Sequence, residues 1–142
     1  MTVLYFDTNA FVKLVVEEEG SELAVELWDA ADAVFSSRLT VPEARAALSA
    51  SFRQGRIDDS GLTTAVHEWS AYWHTVRTVE LSAAVAAAAG ALAHRHSLSG
   101  ADAVHLASAL ALLDADAVFV SWDRRLSDAA RAAGLRVVPA NP

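Results

Sequence analysis

The chain has 142 residues, of which 54% are hydrophobic and 20% are charged, so it has enough apolar material for one folded domain over residues 1–142. It contains no cysteine, which excludes disulfide frameworks, thiol nucleophiles and cysteine-ligated zinc or iron–sulfur sites. Its formal net charge of −7 argues against nucleic-acid binding through a basic surface alone, although bound divalent cations can reverse the charge of an acidic pocket locally.

The N-terminal segment shows no basic stretch followed by an apolar core, so we expect no signal peptide. The longest weakly polar stretch, residues 83–93, is shorter than the ~20 residues that cross a bilayer. Together with the absence of cysteine, these features predict a cytoplasmic protein that does not enter membranes.

Strands and helices alternate in the first half of the chain. The apolar run 3–6 is typical of a buried strand, and it ends at Asp7. The segment 40–54 is typical of a helix, because it has helical periodicity and is followed by Gly55. The predicted strands of this half are 3–6 and 33–36, and its predicted helices are 9–16, 21–31, 40–54 and 58–74.

The second half continues this alternation. Its predicted strands are 78–81, 117–121 and 135–138, and its predicted helices are 82–96, 99–113 and 124–133. Strands that alternate with helices through short turns indicate an α/β domain with a mainly parallel central sheet flanked by helices.

Four acidic residues lie at junctions between these elements. Asp7 follows the first strand, and Asp123 follows the strand 117–121; each opens a helix. In a parallel sheet both positions lie at the carboxyl edge, where open α/β sheets bind their ligands. Glu43 and Asp102 each lie in the first turn of a predicted helix. The four carboxylates are therefore candidates for one site.

Each acid also has a structural explanation. Asp7 and Asp123 have the positions of helix N-caps. Glu43 has Thr40 three residues before it, which is the spacing of a capping box, and Asp102 has a serine at the same distance. Taken one at a time, these acids are as well explained by capping as by function.

The joint pattern favours function. Four helix starts at one edge bring four carboxylates together, and we expect the helix dipoles to favour their charged forms. A cluster of oxygen ligands without histidine suits Mg²⁺ or Mn²⁺ rather than zinc. Such ions support phosphodiester hydrolysis, because they polarise the phosphate and lower the pKa of the attacking water.

Four segments of the chain resemble PIN domains, and in particular the VapC toxins of bacterial toxin–antitoxin pairs. They begin with the run Leu-Tyr-Phe-Asp-Thr-Asn at 4–9. Their order and spacing agree over essentially the whole chain. The segments are 4–14, 42–48, 100–109 and 119–123.

The resemblance implies a single PIN-like α/β domain with Mg²⁺- or Mn²⁺-dependent endoribonuclease activity on RNA, a VapB-like antitoxin as partner, and a homodimer. It also implies a set of four acidic positions, of which the three aspartates bind metal. These acids are Asp7, Glu43, Asp102 and Asp123. Further polar residues, which orient water or a carboxylate, are implied at Thr8, Asn9 and Ser121, the last of which stands where a threonine is more usual.

A histidine and three arginines are further candidates for the same site. His105 lies one helical turn after Asp102 and is a possible ligand or partner of that acid, although a packed histidine is favoured. Candidate contacts with substrate phosphate are the arginines that follow the acids most closely, Arg45, Arg124 and Arg125.

An apolar stripe of Leu62, Val66, Trp69 and Trp73 marks the helix 58–74. It is more typical of a core or a helix–helix contact than of a stacking platform for RNA bases. We nevertheless expect part of this surface, with Leu23, Leu27 and Trp28 of an earlier helix, to be left over and to bind another chain.

Three alternative functions remain. A phosphoacceptor receiver domain also uses carboxylates at a sheet edge, but it needs a lysine after a late strand, and the only lysine here is Lys13 in the first helix. A haloacid-dehalogenase-type phosphatase needs an aspartate where Asn9 stands. A non-catalytic interaction protein with the PIN fold is opposed only by the presence of all four acids.

Overall fold

The computed structural model describes residues 1–142. Its centre is one five-stranded sheet in which every neighbouring pair of strands is parallel, with the order β3-β2-β1-β4-β5. The mainly parallel α/β sheet predicted from the sequence is therefore confirmed. The strands are β1 (Val3–Phe6), β2 (Ala33–Ser37), β3 (Arg77–Val79), β4 (Val118–Val120) and β5 (Arg136–Val138).

Seven α-helices flank the sheet, and none of them is long and apolar enough to cross a membrane. All seven were predicted; the largest difference is at the helix predicted over 99–113, which ends at Leu110 and is followed by a separate 3-10 turn, Leu113–Ala115. The helices are α1 (Thr8–Val15), α2 (Ser21–Ala30), α3 (Thr40–Arg53), α4 (Asp59–Trp73), α5 (Ala83–His96), α6 (Gly100–Leu110) and α7 (Arg124–Ala132).

The central strand β1 is buried on both faces, because alternate residues of a strand point to opposite sides of the sheet. Phe6 packs on one side with Phe11, at a ring distance of 5.4 Å. Tyr5 packs on the other side and stacks on Phe119 at 5.5 Å. The two faces are thus filled by separate clusters, covered by α1–α4 on one side and by α6 and α7 on the other.

The apolar stripe of α4 belongs mainly to the first of these clusters. Trp69 is only 5% exposed and stacks on Trp73 at 5.7 Å, and Trp73 contacts Phe11 of α1 at 5.9 Å. The core interpretation of the stripe is confirmed for Trp69, so any surface left over for another chain lies elsewhere. Trp28 and Tyr72, which meet edge to face at 4.9 Å, remain half-buried at the surface.

The register of the sheet places two chain turns side by side. Phe6 of β1 pairs with Val120 of β4, and the Asp7 N–H donates to the Val120 carbonyl at 3.2 Å. The residues that follow both strands therefore emerge next to each other at the carboxyl edge. This is the place where the sequence puts Asp7 and Asp123.

Candidate active site

Asp7 lies between β1 and α1 and is 2% exposed. Its Oδ1 accepts the Ala10 N–H at 3.1 Å and so caps α1, while Oδ2 accepts from Asn9 Nδ2 at 2.8 Å. The capping explanation is correct for this residue. It does not compete with a functional role, because a cap at a strand-to-helix turn also fixes a carboxylate at the sheet edge.

The ionised form of Asp7 is unfavourable in the folded protein. Burial raises the pKa of Asp7 from 3.8 to about 6, and the charge of Asp123 acts in the same direction. His105, Ser121 and the Ala10 N–H oppose this shift without cancelling it. The expectation that the helix N-terminus would favour the charged form is therefore outweighed by loss of water.

Asp123 caps α7 in the same way, since its Oδ1 accepts the Leu126 N–H at 2.9 Å. Ser121, which is fully buried, accepts the Asp123 N–H on its hydroxyl at 3.1 Å. Asn9 links this turn to Asp7, because its Oδ1 accepts the Trp122 N–H at 2.9 Å while its amide nitrogen donates to Asp7. Asn9 and Ser121 thus hold the two turns together.

Asp102 lies in the first turn of α6, where its N–H donates to Ser99 Oγ at 3.1 Å. Its carboxylate is half-buried. Burial raises the pKa of Asp102, and the charges of Asp123 and Glu43 raise it further. Asp102 is therefore close enough to both acids to be repelled by them.

The capping box predicted at Glu43 is wrong. The N-cap position of α3 is Leu39, whose backbone is already helical and whose side chain caps nothing. Thr40 is buried inside the helix, with its hydroxyl 2.8 Å from Ser36 Oγ of β2. The Thr40 hydroxyl is therefore bonded to Ser36 and does not form a capping box with Glu43. The Glu43 side chain can then contact other elements.

Glu43 instead contacts α1 and α6. Its Oε1 accepts from Thr8 Oγ1 at 2.8 Å and lies 2.6 Å from His105 Nε2, while Oε2 has no protein partner. Burial alone would raise the pKa of Glu43, but the bonds from His105 and Thr8 outweigh it, so the pKa is lowered. Glu43 is an ionised carboxylate with one oxygen held and one free.

His105 is buried, as the packed interpretation predicted, but its partner is not Asp102. It is 2% exposed, and its two ring nitrogens contact Glu43 and the hydroxyl of Tyr5. The sequence signal for His105 was its place one turn after Asp102. That spacing showed that it faces the site but not which acid it contacts.

Three of the four acids line one open cavity of about 570 Å³. Asp7, Glu43 and Asp102 share it with Thr8, Asn9 and His105, and Asp123 acts on it through its charge. One wall is the small-residue face of α3. That wall consists of Ala46, Ala47, Ala50 and Ser51, followed by Gln54 and Arg56 beyond the end of the helix.

Comparison with known proteins agrees with this geometry. A family model described as the PIN domain matches residues 4–132. The chain belongs to the PIN domain family. Ribonuclease VapC45 and Ribonuclease VapC49, both of Mycobacterium tuberculosis, are each 54% identical to it over 140 residues, which cover 99% of this chain and 97% of the relative.

The fold likeness extends to solved structures with much lower sequence identity. The crystal structure of PAE2754 from Pyrobaculum aerophilum matches with a TM-score of 0.71 at 19% identity, covering 96% of this chain and 84% of that one. The predicted resemblance to PIN domains and to VapC ribonucleases is therefore confirmed. The receiver-domain alternative loses its remaining support, because Lys13 pairs with Glu18 at 3.0 Å and does not line the acidic cavity.

The arginines predicted to contact phosphate lie outside the cavity of this PIN domain. Arg45, Arg124 and Arg125 are exposed, and Arg125 donates to the Ser97 carbonyl at 2.7 Å. Arg56, which was not considered from the sequence, does line the cavity. It lies in an irregular turn between α3 and α4, where helical periodicity gives no information on side-chain direction.

The donor set fits a hard divalent cation. It consists of carboxylate oxygens, and the only histidine at the site already uses Nε2 on Glu43. Oε2 of Glu43 and Oδ2 of Asp123 have no protein partner. No group of three acidic or histidine side chains lies close enough together to hold a metal ion without rearrangement. The charges of Asp123 and Glu43 raise the pKa of Asp102, and a bound cation would relieve this repulsion.

Proposed function

We propose that this chain is a divalent-metal-dependent endoribonuclease and the toxin of a VapBC-type toxin–antitoxin pair, with its active site at Asp7, Glu43, Asp102 and Asp123. The observation that carries the proposal is the cavity at the carboxyl edge of the sheet, lined by three of these acids and influenced by the fourth. The 54% identity to proteins named ribonuclease VapC supports the same activity.

Asp7, Asp102 and Asp123 would hold the cation, Mg²⁺ or Mn²⁺. When bound, it supplies positive charge that polarises the scissile phosphate and lowers the pKa of the attacking water. Asn9 and Ser121 keep Asp7 and Asp123 in place through their bonds to the two adjoining turns. These supports matter because a small displacement of a catalytic group is costly in rate.

Hydrolysis joins a water oxygen to phosphorus, breaks one ester P–O bond, and releases a proton from the water. Glu43 is placed to accept that proton on Oε2, because Oε1 is held by Thr8 and His105. The leaving ribose oxygen takes a proton from solvent. The lowered pKa of Glu43 means that this carboxylate is ionised at neutral pH.

The substrate would lie along α3. The small side chains Ala46, Ala47 and Ala50 leave room for a polynucleotide backbone, and Arg56 places a positive charge at the far end of the cavity. Arg56 makes no ion pair with a protein carboxylate, so its guanidinium is available to a phosphate. Without a cation, the acids at the other end would repel RNA.

We also propose a VapB-like antitoxin as partner and a homodimer as the folded unit. The VapC names of the relatives support the antitoxin. The half-buried aromatic pair Trp28 and Tyr72 offers apolar surface that neither core cluster covers completely.

A cleavage assay on purified total RNA, titrated with Mg²⁺ and with Mn²⁺, tests the activity. We expect wild type to cut only when the cation is present and Asp7→Asn to lose cleavage by at least about 100-fold while keeping its fold. Asp114→Asn is the matched control, because Asp114 is exposed in the 3-10 turn that precedes β4 and touches no part of the cavity.

Near wild-type cleavage by Asp7→Asn would refute the site assignment. A wild-type protein that cuts no RNA with either cation, yet binds another protein, would favour the non-catalytic PIN-fold alternative.

A further inference from the structure

A chain of buried hydrogen bonds runs from the sheet to Glu43. It starts at the Ser37 N–H at the end of β2, which donates to Tyr5 Oη at 3.1 Å. Tyr5 Oη lies 2.8 Å from His105 Nδ1, and His105 Nε2 lies 2.6 Å from Glu43 Oε1. Tyr5 is fully buried and His105 is 2% exposed, whereas Glu43 is half-buried at the edge of the cavity.

For a neutral His105 ring, the donors in this chain have one consistent order. Tyr5 Oη accepts from Ser37, and a neutral phenol has one hydrogen to donate, so that hydrogen points to His105 Nδ1. Nδ1 is then an acceptor, and the ring proton lies on Nε2. Nε2–H faces the Glu43 carboxylate, which can only accept. Each member thus fixes the orientation of the next.

We propose that Tyr5 and His105 are positioning residues for Glu43: Tyr5 selects the Nε2–H form of His105, and His105 holds Glu43 by Oε1 so that Oε2 faces the cavity. This inference rests on the proposed function, because Glu43 needs a fixed direction only if it takes part in cleavage. Thr8 completes the arrangement by donating to the same oxygen at 2.8 Å.

Packing alone does not account for these contacts. Both side chains lie against an apolar cluster that includes Phe119 and Leu106, where polar atoms without partners are unfavourable. This region tolerates one such group, the buried hydroxyl of Ser108 one turn further along α6. His105, in contrast, uses both ring nitrogens, and one of them reaches a carboxylate of the cavity.

Nitrogen-15 NMR of the histidine ring tests the order of donors without any cleavage. We expect the wild-type His105 ring to carry its proton on Nε2 alone, with an Nδ1 resonance shifted by a hydrogen bond. Tyr5→Phe should move that Nδ1 resonance towards the position of a free ring nitrogen. The matched control is Tyr72→Phe, which removes a phenol hydroxyl from the surface and should leave the His105 signals unchanged.

A His105 proton on Nδ1, a ring protonated on both nitrogens, or an Nδ1 resonance unmoved by Tyr5→Phe would overturn the proposal. The NMR test gives a clear result even if the protein cuts no RNA. Failure of this inference can therefore be distinguished from failure of the proposed function. The His105→Gln spectrum identifies which of the five histidine signals belongs to this residue.

Cleavage kinetics test the consequence, on an RNA oligonucleotide that spans a site mapped from wild-type digestion of total RNA. Removing a group that orients a catalytic residue typically lowers activity about 10–100-fold, and we expect this loss for His105→Leu in kcat with KM nearly unchanged. His105→Gln keeps an N–H donor near the Nε2 position and should recover most of the rate.

Equal kcat in His105→Leu and wild type would overturn the positioning role. So would an equal loss in the leucine and glutamine variants when both melt at the wild-type temperature, because the donor would then be irrelevant.

Discussion

The acidic edge of the sheet and the aromatic face, where α4 packs with α1, α2 and β1, are built in opposite ways. The acidic edge is formed by Asp7, Glu43, Asp102 and Asp123, and the aromatic face by Phe6, Phe11, Trp28, Trp69 and Trp73. On the aromatic face, rings meet at 5.4–6.0 Å and bury apolar surface. At the acidic edge, burial and like charges raise the pKa of two aspartates.

This difference indicates that the aromatic face stabilises the fold and that the acidic edge destabilises it. Apolar burial stabilises the aromatic face by about 25 cal/mol for each Å² removed from water. The acidic edge contains carboxylates whose ionised forms are disfavoured by burial and by like charges. Strain of this kind is common at functional sites, since a preorganised site is seldom the most stable arrangement.

The largest expected effect is on the aromatic face. We expect Trp69→Ala to lower the free energy of unfolding by about 3–5 kcal/mol, because Trp69 is 5% exposed and its removal leaves a cavity against α1 and α3. Urea denaturation followed by circular dichroism measures the change. Cleavage per folded molecule should stay unchanged, since Trp69 does not line the acidic cavity.

Phe52→Ala is the control for Trp69→Ala, because Phe52 is a 37% exposed aromatic residue on α3. Its effect on stability should be far smaller, within about 1 kcal/mol. If Trp69→Ala were as stable as Phe52→Ala and instead changed the oligomeric state, the face of α4 would be an interface rather than core.

The sequence predicted the contrast between these regions because both rest on local patterns. The strand Val3–Phe6 is a continuous apolar run, and the stripe around Trp69 repeats with helical spacing. The position of Asp7 followed from the end of that strand. Patterns with a short period are set by the geometry of one element, so they can be recognised without knowing the rest of the fold.

Features that depend on distant contacts were not predictable. Thr40 and Glu43 have capping-box spacing, but Thr40 is bonded to Ser36 of a strand and Glu43 to His105, which is 62 residues away. The raised pKa of Asp7 was missed for the same reason. The helix start that favours its charge is local, whereas the burial that opposes it comes from the whole fold.

A smaller effect, of opposite sign, is expected at the acidic edge. In the metal-free protein, Asp7→Asn should raise the free energy of unfolding at pH 8 by about 1–3 kcal/mol, because the buried charge is removed while an asparagine can still cap α1. The pKa of Asp7 is about 6 in the folded state against an ordinary 3.8. Folding therefore binds a proton between these values.

The pH dependence follows from that sign. Wild-type stability has its full Asp7 contribution below about pH 4 and loses it as pH rises through about 6, so the advantage of Asp7→Asn should vanish near pH 4 and reach a plateau above pH 7. Thermal melting with EDTA at pH 4, 6 and 8 measures it. An advantage that is constant across this range would show that burial does not raise the pKa of Asp7.

The smallest expected effect is at the other end of the cavity. Arg56→Ala should raise KM for RNA about 3–10-fold with little change in kcat, because an exposed arginine that binds phosphate in the ground state contributes uniform binding. Initial rates at increasing RNA concentration measure it. Arg53→Ala is the matched control, since Arg53 is also exposed near the end of α3 but does not line the cavity.

The loss caused by Arg56→Ala should shrink as salt is raised, because a phosphate contact weakens when counterions compete for it. Equal KM values for the two variants would place the RNA path away from Arg56 while leaving the acidic edge as the catalytic centre.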